Sequence, residues 1–373
     1  MSEISNNRYF VTGGGTGGHI YPALAIADTL TNDGAKVFYV GNKRNMEFEL
    51  ASKKGYKFLH VSVSGMPRKL NPKFFWWGIK LFKAILYSIK YIKKYKPDAV
   101  FATGGYVSAP MIFACRITKT PYVMHDCDAM PGLVTRNLCK RAKYVTLAFE
   151  KAKKYIPNKH SVVTGNPIRE QFKTLTQASA RKELGLEDKL TLCAMGGSQG
   201  AKSINNTVIE LLKEFSQELN LQIIFQTGKK NYNDVIEKLK QYYPAFEQDK
   251  NLIIKPYFDN MTTILKASDI VISRAGSLSL SEICASGLVP ILIPYPYAAS
   301  NHQRINAKSL LDMGACIYIE DHELEPNKLR KNILELIESP IKMSYIKQNT
   351  SHLAKYDATR EIADLVISAG KIK

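Results

Sequence analysis

Short apolar runs that close on glycine-rich turns recur through both halves of this sequence, and no other feature restricts the fold so strongly. In the first half they are "RYFVT", "AKVFYVG", "KFLHVSV", "DAVFATGG" and "PYVMHD"; in the second, "LTLCAMGG", "LQIIFQTG", "NLIIKPYF", "DIVISRAG" and "VPILIPYP". Helix-period segments separate them. Runs this continuously apolar suit strands covered on both faces, so the rhythm predicts parallel sheets with helices on each side. The turns "TGGGTGG" and "TGGY", then "MGGSQGA", "QTGKK" and "SRAGSLS", stand at strand ends, where open α/β sheets bind ligands. Each half is therefore expected to be its own doubly wound unit, and 373 residues are enough for two cores. "VVTGNPIRE" at 162–170, a Gly-Asn-Pro punctuation after a strand, is the expected hinge, with an ordinary β-turn as the plainer reading.

The opening loop, "VTGGGTGGHIYP" at 11–22, fits G-x-G-x-x-G through Gly13, Gly15 and Gly18. A helix should follow, with Pro22 in its first turn and Ala23, Ile26, Ala27 and Leu30 at core spacing. Backbone N–H groups of such a turn are expected to face an anion. A nicotinamide dinucleotide also needs a carboxylate near the end of the second strand, and "FYVGNKR" has none, so a different phosphate is expected. His19 follows the loop at the positive end of a helix dipole, where protonation is disfavoured, which makes it a candidate neutral base. From the bare sequence, a capping or core histidine fits equally.

The stretch 274–307, "RAGSLSLSEICASGLVPILIPYPYAASNHQRINA", runs from a strand end through a Gly-Ser turn and a helix to a polar Asn-His-Gln cluster. Ser277, Ser279 and the turn's N–H groups can meet phosphate, while Glu282 can accept the two hydroxyls of a ribose. For Glu282 alone, a solvated helix face is as good a reading.

Formal net charge is +19, from 52 basic and 33 acidic residues, which predicts an anionic partner. Residues 71–96 hold seven lysines, no acid and eight aromatics, including both tryptophans. Phe74, Phe75, Trp76 and Trp77 lead into a helical face of Ile79, Phe82, Ile85, Leu86 and Ile89, with Lys80, Lys83 and Lys90 placed to reach head groups. This composition predicts an interfacial segment on an anionic membrane surface; a core helix with a solvated basic face is the alternative. No nucleic-acid recognition motif accompanies the lysines, so nucleic acid is not expected. Neither an export signal nor an uncharged run of about 18 residues is present, which predicts a protein that is neither exported nor membrane-spanning, and the interfacial segment makes it a peripheral one. The six cysteines form no C-x-x-C pair and are expected to be thiols in a reducing compartment.

Taken in order, "GGGTGGHIYPALAIA", "TGGYVSAP", "GNPIR", "GGSQGA" and "RAGSLSLSEI…NHQRINA" resemble the MurG family, the peptidoglycan N-acetylglucosaminyltransferases that convert lipid I into lipid II. The resemblance implies a GT-B fold, two doubly wound Rossmann-like α/β domains facing a cleft. It implies an acceptor- and membrane-binding domain over 1–165, joined by a C-terminal helix near 355–373, and a UDP-N-acetylglucosamine domain over 166–354. By matching positions, Thr16, Gly17, Gly18 and His19 face the reaction centre and Tyr106 lies on the acceptor side. Arg169, Ser198 and Gln199 match the diphosphate site, Phe258 the uracil contact, Ser277, Leu278, Ser279 and Glu282 the nucleotide segment, and His302 with Gln303 the sugar contact.

One departure stands out. Where the family reads His-Glu-Gln-Asn, this chain reads "HDCD", so Asp126 and Asp128 replace a glutamate and an asparagine and create a literal D-x-D. The family reaction inverts the anomeric carbon: the 4-hydroxyl of the lipid-linked N-acetylmuramyl sugar attacks C1 as UDP leaves. His19 is the first candidate base, followed by Asp128 and then Asp126. No metal and no other cofactor is expected. Expected partners are UDP-GlcNAc, lipid I, the cytoplasmic face of the cell membrane and other cell-wall synthesis proteins. Alternatives are a diacylglycerol-directed transferase of the same fold, a UDP-GlcNAc 2-epimerase and a non-catalytic membrane-surface scaffold.

Overall fold

Alternation along β1 (Arg8–Thr12) decides how the first sheet is covered: Tyr9 and Val11 point to one face and Phe10 to the other, all buried. A computed structural model describes residues 7–67, 72–197 and 199–371. The chain divides into two units, Met1–Ile168 with Asp357–Lys373, and Arg169–Tyr356.

In the first unit, β1 joins β2 (Lys36–Gly41), β3 (Lys57–His60), β4 (Ala99–Ala102), β5 (Tyr122–Asp126), β6 (Tyr144–Leu147) and β7 (Ser161–Val163). The order is β3-β2-β1-β4-β5-β6-β7, every pair parallel. The chain winds outward through β3 and then returns past β1 to β4, which leaves a switch point between the ends of β1 and β4. β6 escapes the sequence reading because "YVTL" is four residues between lysine-rich turns.

Tyr9 and Val11 lie under helix α1 (Gly17–Asn32) and the C-terminal helix Ala358–Lys371, whose Ile362, Ala363, Val366 and Ala369 are fully buried. Ile362 and Val366 each contribute roughly 1.5–3 kcal/mol, and Arg360 adds a surface ion pair to Asp33 at 2.7 Å. Phe10 lies with Phe38, Val100 and Met111 under α3 (Pro72–Tyr95) and α4 (Gly105–Thr118). Helix α1 starts earlier than expected, at Gly17, so Pro22 sits inside it rather than in its first turn. Having no N–H, Pro22 cannot bond the Gly18 carbonyl one turn back.

The second unit repeats the plan with β8 (Thr191–Met195), β9 (Gln222–Gln226), β10 (Leu252–Lys255), β11 (Ile270–Ser273), β12 (Val289–Leu292) and β13 (Ile317–Tyr318). Its order is β10-β9-β8-β11-β12-β13, also parallel, with the switch point between β8 and β11. Two-residue β13 is too short to carry a pattern in sequence. All six cysteines are free and buried. No helix among the described residues is long and apolar enough to cross a membrane.

Candidate functional site

Glycine loops gather at each switch point. In the first unit, Thr16 caps α1 and its carbonyl accepts the N–H groups of His19 and Ile20 at 3.1 Å. The His19 ring is set by the loop after β4: Nδ1 lies 2.7 Å from the Thr103 carbonyl, and the Thr103 hydroxyl returns a 2.7 Å bond to the His19 carbonyl. A carbonyl only accepts, so Nδ1 is the donor, and in the tautomer this bond favours the lone pair lies on Nε2. Tyr106, in the first turn of α4, faces Gly15, where the backbone takes φ +87° and an added Cβ would come within 2.9 Å of the phenol ring.

The loop's anion turns out to be partly internal. The Gly15 N–H donates to the Glu47 carboxylate at 3.2 Å, a fully buried group at the start of α2 (Met46–Lys53). Glu47 lies three residues beyond "FYVGNKR", the stretch where a ribose-binding acid would stand, and it serves the loop itself rather than a ribose, so the sequence alone does not single it out.

"HDCD" forms the end of β5 and the turn after it. Asp126 is 2% exposed; its Oδ1 accepts the Asp128 N–H at 3.3 Å and its Oδ2 the Gly132 N–H at 3.0 Å. Burial pushes its carboxyl up to about 7, against those bonds. Thus the D-x-D does not present two equivalent carboxylates: Asp126 is turned into the protein as a brace, and Asp128 is the more exposed of the pair. Their oxygens and the Cys127 sulfur lie within 4.8 Å of one another.

Asn166 of "GNP" reaches into the same turn. Its Nδ2 donates to the Cys127 carbonyl at 3.3 Å, which leaves Oδ1 toward His125 Nε2 at 3.0 Å. His125 therefore donates through Nε2, and its Nδ1 faces the Thr146 hydroxyl at 3.0 Å. Complete burial pushes this imidazole down to about 4, so it is neutral. The motif expected to act as a hinge thus has a side chain that is built into the first unit's core.

In the second unit, the loop after β8 packs backbone to backbone on the loop after β9. An added Cβ at Gly200, where φ is +75°, would come 2.1 Å from the Thr227 carbonyl oxygen. Asn231 donates to the Gln199 carbonyl at 3.1 Å. Gln226, also unnoticed in sequence, accepts the Phe258 N–H at 2.9 Å and donates to the Gly197 carbonyl at 3.3 Å, joining the expected diphosphate loop to the expected uracil contact. Ser198 lies outside the described residues. Helix Lys202–Lys213 begins just after this loop, and helix Ser277–Ser286 begins just after β11, so both N-termini flank the switch point.

Ser277, Leu278 and Ser279 form the first turn of that second helix, and Glu282 follows a turn later. Burial raises the Glu282 carboxyl while Arg169, 3.9 Å away, opposes the rise. Gln303 Oε1 accepts the N–H groups of Ala275 at 3.2 Å and Tyr295 at 3.0 Å, so its Nε2 is the group it can offer a ligand. His302 Nδ1 bonds the Ala299 carbonyl at 2.7 Å, beside Ser300 and Asn301, both left-handed.

Helix α3 carries apolar residues on two sides. Ala84, Ser88 and Ile92 are buried, and Leu81, Ile89 and Tyr91 pack on the core. Facing away, Phe75 is 68% exposed, Trp76 63% and Phe82 62%, among exposed Lys80, Lys83 and Lys90. The aromatic quartet is split by helical period: Phe74 and Trp77 are half-buried with ring centroids 5.5 Å apart, and Trp77 Nε1 donates to the Ser64 carbonyl at 2.9 Å. Of the face expected from sequence, Phe82 and Leu86 are exposed, whereas Ile79, Ile85 and Ile89 are half-buried.

Two doubly wound parallel sheets, each with its glycine loops at a switch point, are the architecture of the GT-B nucleotide-sugar enzymes. Within that class, the chain matches the glycosyltransferase family 28 N-terminal domain over residues 9–147 and the C-terminal domain over 191–366, and it belongs to this family. The UDP-N-acetylglucosamine--N-acetylmuramyl-(pentapeptide) pyrophosphoryl-undecaprenol N-acetylglucosamine transferase of Desulforamulus reducens is 38% identical over 366 residues, covering 96% of this chain and 98% of that one. The enzyme of the same description from Halothermothrix orenii is 38% identical over 364 residues, with the same coverage of each. Among solved structures, MurG of Acinetobacter baumannii superposes with a TM-score of 0.78 at 27% identity, covering 97% of this chain and 99% of that one. A UDP-GlcNAc 2-epimerase from Neisseria meningitidis bound to UDP-GlcNAc reaches 0.66 at 13% identity, covering 97% and 100%, a likeness of fold alone.

Proposed function

We propose that this enzyme transfers N-acetylglucosamine from UDP-GlcNAc to the 4-hydroxyl of undecaprenyl-pyrophosphoryl-N-acetylmuramyl-pentapeptide, with inversion at the anomeric carbon. The observation that carries this reading is the pair of helix N-termini at the second unit's switch point, beside Arg169 and Glu282, in a chain 38% identical to transferases of that description. The donor's diphosphate is stabilised as it departs by the N–H groups of those two turns and by Arg169, with Glu282 on the ribose and Gln303 Nε2 on the sugar. His19 Nε2 takes the proton of the attacking hydroxyl, the tautomer favoured by its bond to Thr103; Asp128 is the second candidate. Asp126, whose oxygens accept the Asp128 and Gly132 N–H groups, is assigned to bracing its own turn, and the reaction is proposed to run on side chains and backbone dipoles without a metal. Incubation with UDP-GlcNAc and a lipid I analogue should add one N-acetylhexosamine to the acceptor by mass, with β stereochemistry; conversion of UDP-GlcNAc in the absence of any lipid would refute the assignment.

The same reading makes the enzyme peripheral at the cytoplasmic face of the membrane, with the lipid surface met by the outward face of α3, and leaves room for other cell-wall synthesis proteins as neighbours. Phe75, Trp76 and Phe82 supply apolar area there and Lys80 and Lys83 the attraction to anionic head groups. Binding to vesicles containing anionic lipid should weaken with salt and in Trp76→Ala/Phe82→Ala; equal binding to neutral vesicles would contradict the electrostatic part.

A further inference from the structure

Glu47 divides its two oxygens between two loops, and Asn45 extends the link to a third. Oε1 accepts the Asn42 N–H at 3.2 Å and Asn45 Nδ2 at 3.1 Å, while Oε2 accepts the Gly15 N–H at 3.2 Å. Asn45 Nδ2 also lies 3.2 Å from the Tyr106 hydroxyl. Glu47 thereby joins the segments that follow β1 and β2 and, through Asn45, the one that follows β4, three neighbouring strand ends of the first unit. The surrounding glycines are shaped to it: an added Cβ at Gly14 would stand 2.6 Å from the carboxyl carbon, and one at Gly41 2.9 Å from Cγ. Each of these neighbours presents a donor, so the position calls for a group that only accepts, which a carboxylate is and an amide is not.

We propose that Glu47 is a positioning residue of the acceptor half-site, an internal anion that fixes the loop carrying Thr16 to His19 against the Tyr106 ring before the acceptor arrives. This rests on the functional reading above, in which that loop and Tyr106 receive the lipid-linked sugar. Glu47 touches no substrate itself. Its effect reaches the reaction through the Gly15 N–H on one side and Asn45 on the other. The donor loops belong to a separate unit and share none of these bonds.

The test is steady-state kinetics with both substrates varied, on the wild-type chain, Glu47→Gln, Asn45→Ala, Tyr106→Phe and the last two combined. Glu47→Gln keeps the shape but turns an NH₂ toward a backbone N–H. It should raise the acceptor KM and lower kcat by roughly tenfold to a hundredfold, as small misplacements of reacting groups do, with donor KM and UDP affinity within about twofold of wild type. Asn45→Ala should raise the acceptor KM alone, and combining it with Tyr106→Phe should cost less than the sum of the two single changes, since both remove the Asn45–Tyr106 bond. A merely structural carboxylate would lower the thermal midpoint and leave the acceptor KM where it was. An acceptor KM within about twofold of wild type in Glu47→Gln, or a donor KM raised as much as the acceptor KM, overturns the proposal. If Glu47→Gln does not fold, Asn45→Ala decides by the same criterion. Absence of acceptor-dependent transfer in the wild-type chain is a different result: it overturns the functional reading, and the proposal falls with it.

Discussion

Asp126 and His125 are adjacent and both buried, and burial favours the neutral form of each, which moves their pKa values in opposite directions, so replacing one should expose the pH dependence of the other. Burial carries the Asp126 carboxyl from its ordinary 3.8 to about 7. The folded protein therefore holds a proton that the unfolded chain has released, and this contribution to stability is complete below pH 3.8 and lost as pH rises through 7. His125 is carried from 6.5 down to about 4, so its contribution is complete above pH 6.5 and lost as pH falls through 4. Between pH 4 and 6.5 the two trends oppose each other, and the wild-type protein should show little net slope from this pair. Asp126→Asn removes one of them. At ~1.4 kcal/mol per pKa unit, the variant should gain about 3 kcal/mol relative to wild type between pH 4.5 and pH 8. For a unit of this size that is about 6 to 12 °C in melting midpoint. Both tryptophans lie in α3, so tryptophan fluorescence follows the unfolding of the first unit. A difference between variant and wild type that stays constant from pH 4.5 to 8, or shrinks, would refute the assignment of a buried, proton-holding Asp126.

His19→Ala should lower kcat by about 10²–10⁴ while UDP affinity, measured by calorimetry, stays unchanged, because the donor loops lie in the other unit; a parallel loss of UDP affinity would contradict that separation. Gly200→Ala forces an L-residue into φ +75° and against the Thr227 carbonyl, at about 1–2 kcal/mol for the backbone alone, and UDP should bind at least about tenfold more weakly. Arg169→Ala should weaken UDP binding by about 1.5–3 kcal/mol, the range for a hydrogen bond to a charged group, and reduce the salt dependence of that binding; unchanged salt dependence would show that Arg169 does not meet the diphosphate.

Much of the architecture can be read directly from the chain, because a buried parallel strand is an uninterrupted apolar run and a ligand loop is a cluster of glycines. "RYFVT", "LTLCAMGG" and "DIVISRAG" announce β1, β8 and β11 together with the turns beyond them. What stays hidden is tertiary. Nothing local marks Glu47, in "RNMEFEL", as the group that the Gly15 N–H will meet 32 residues upstream. Asn166 looks like turn punctuation until its amide is seen between His125 and the Cys127 carbonyl. Asp126 and Asp128 look alike in "HDCD", and only the turn closing on Gly132 separates the buried brace from its more exposed neighbour. In α3 the apolar residues exceed what one helical face can hold, so periodicity could not say which would pack inward.

The most direct test of the account is UDP release from UDP-GlcNAc, measured with and without a lipid I analogue, with EDTA, and in His19→Ala. We predict release that requires the acceptor, persists in EDTA and collapses in the variant. Release that proceeds without acceptor, or that EDTA abolishes, would contradict a metal-independent transferase built on the two glycine-loop half-sites.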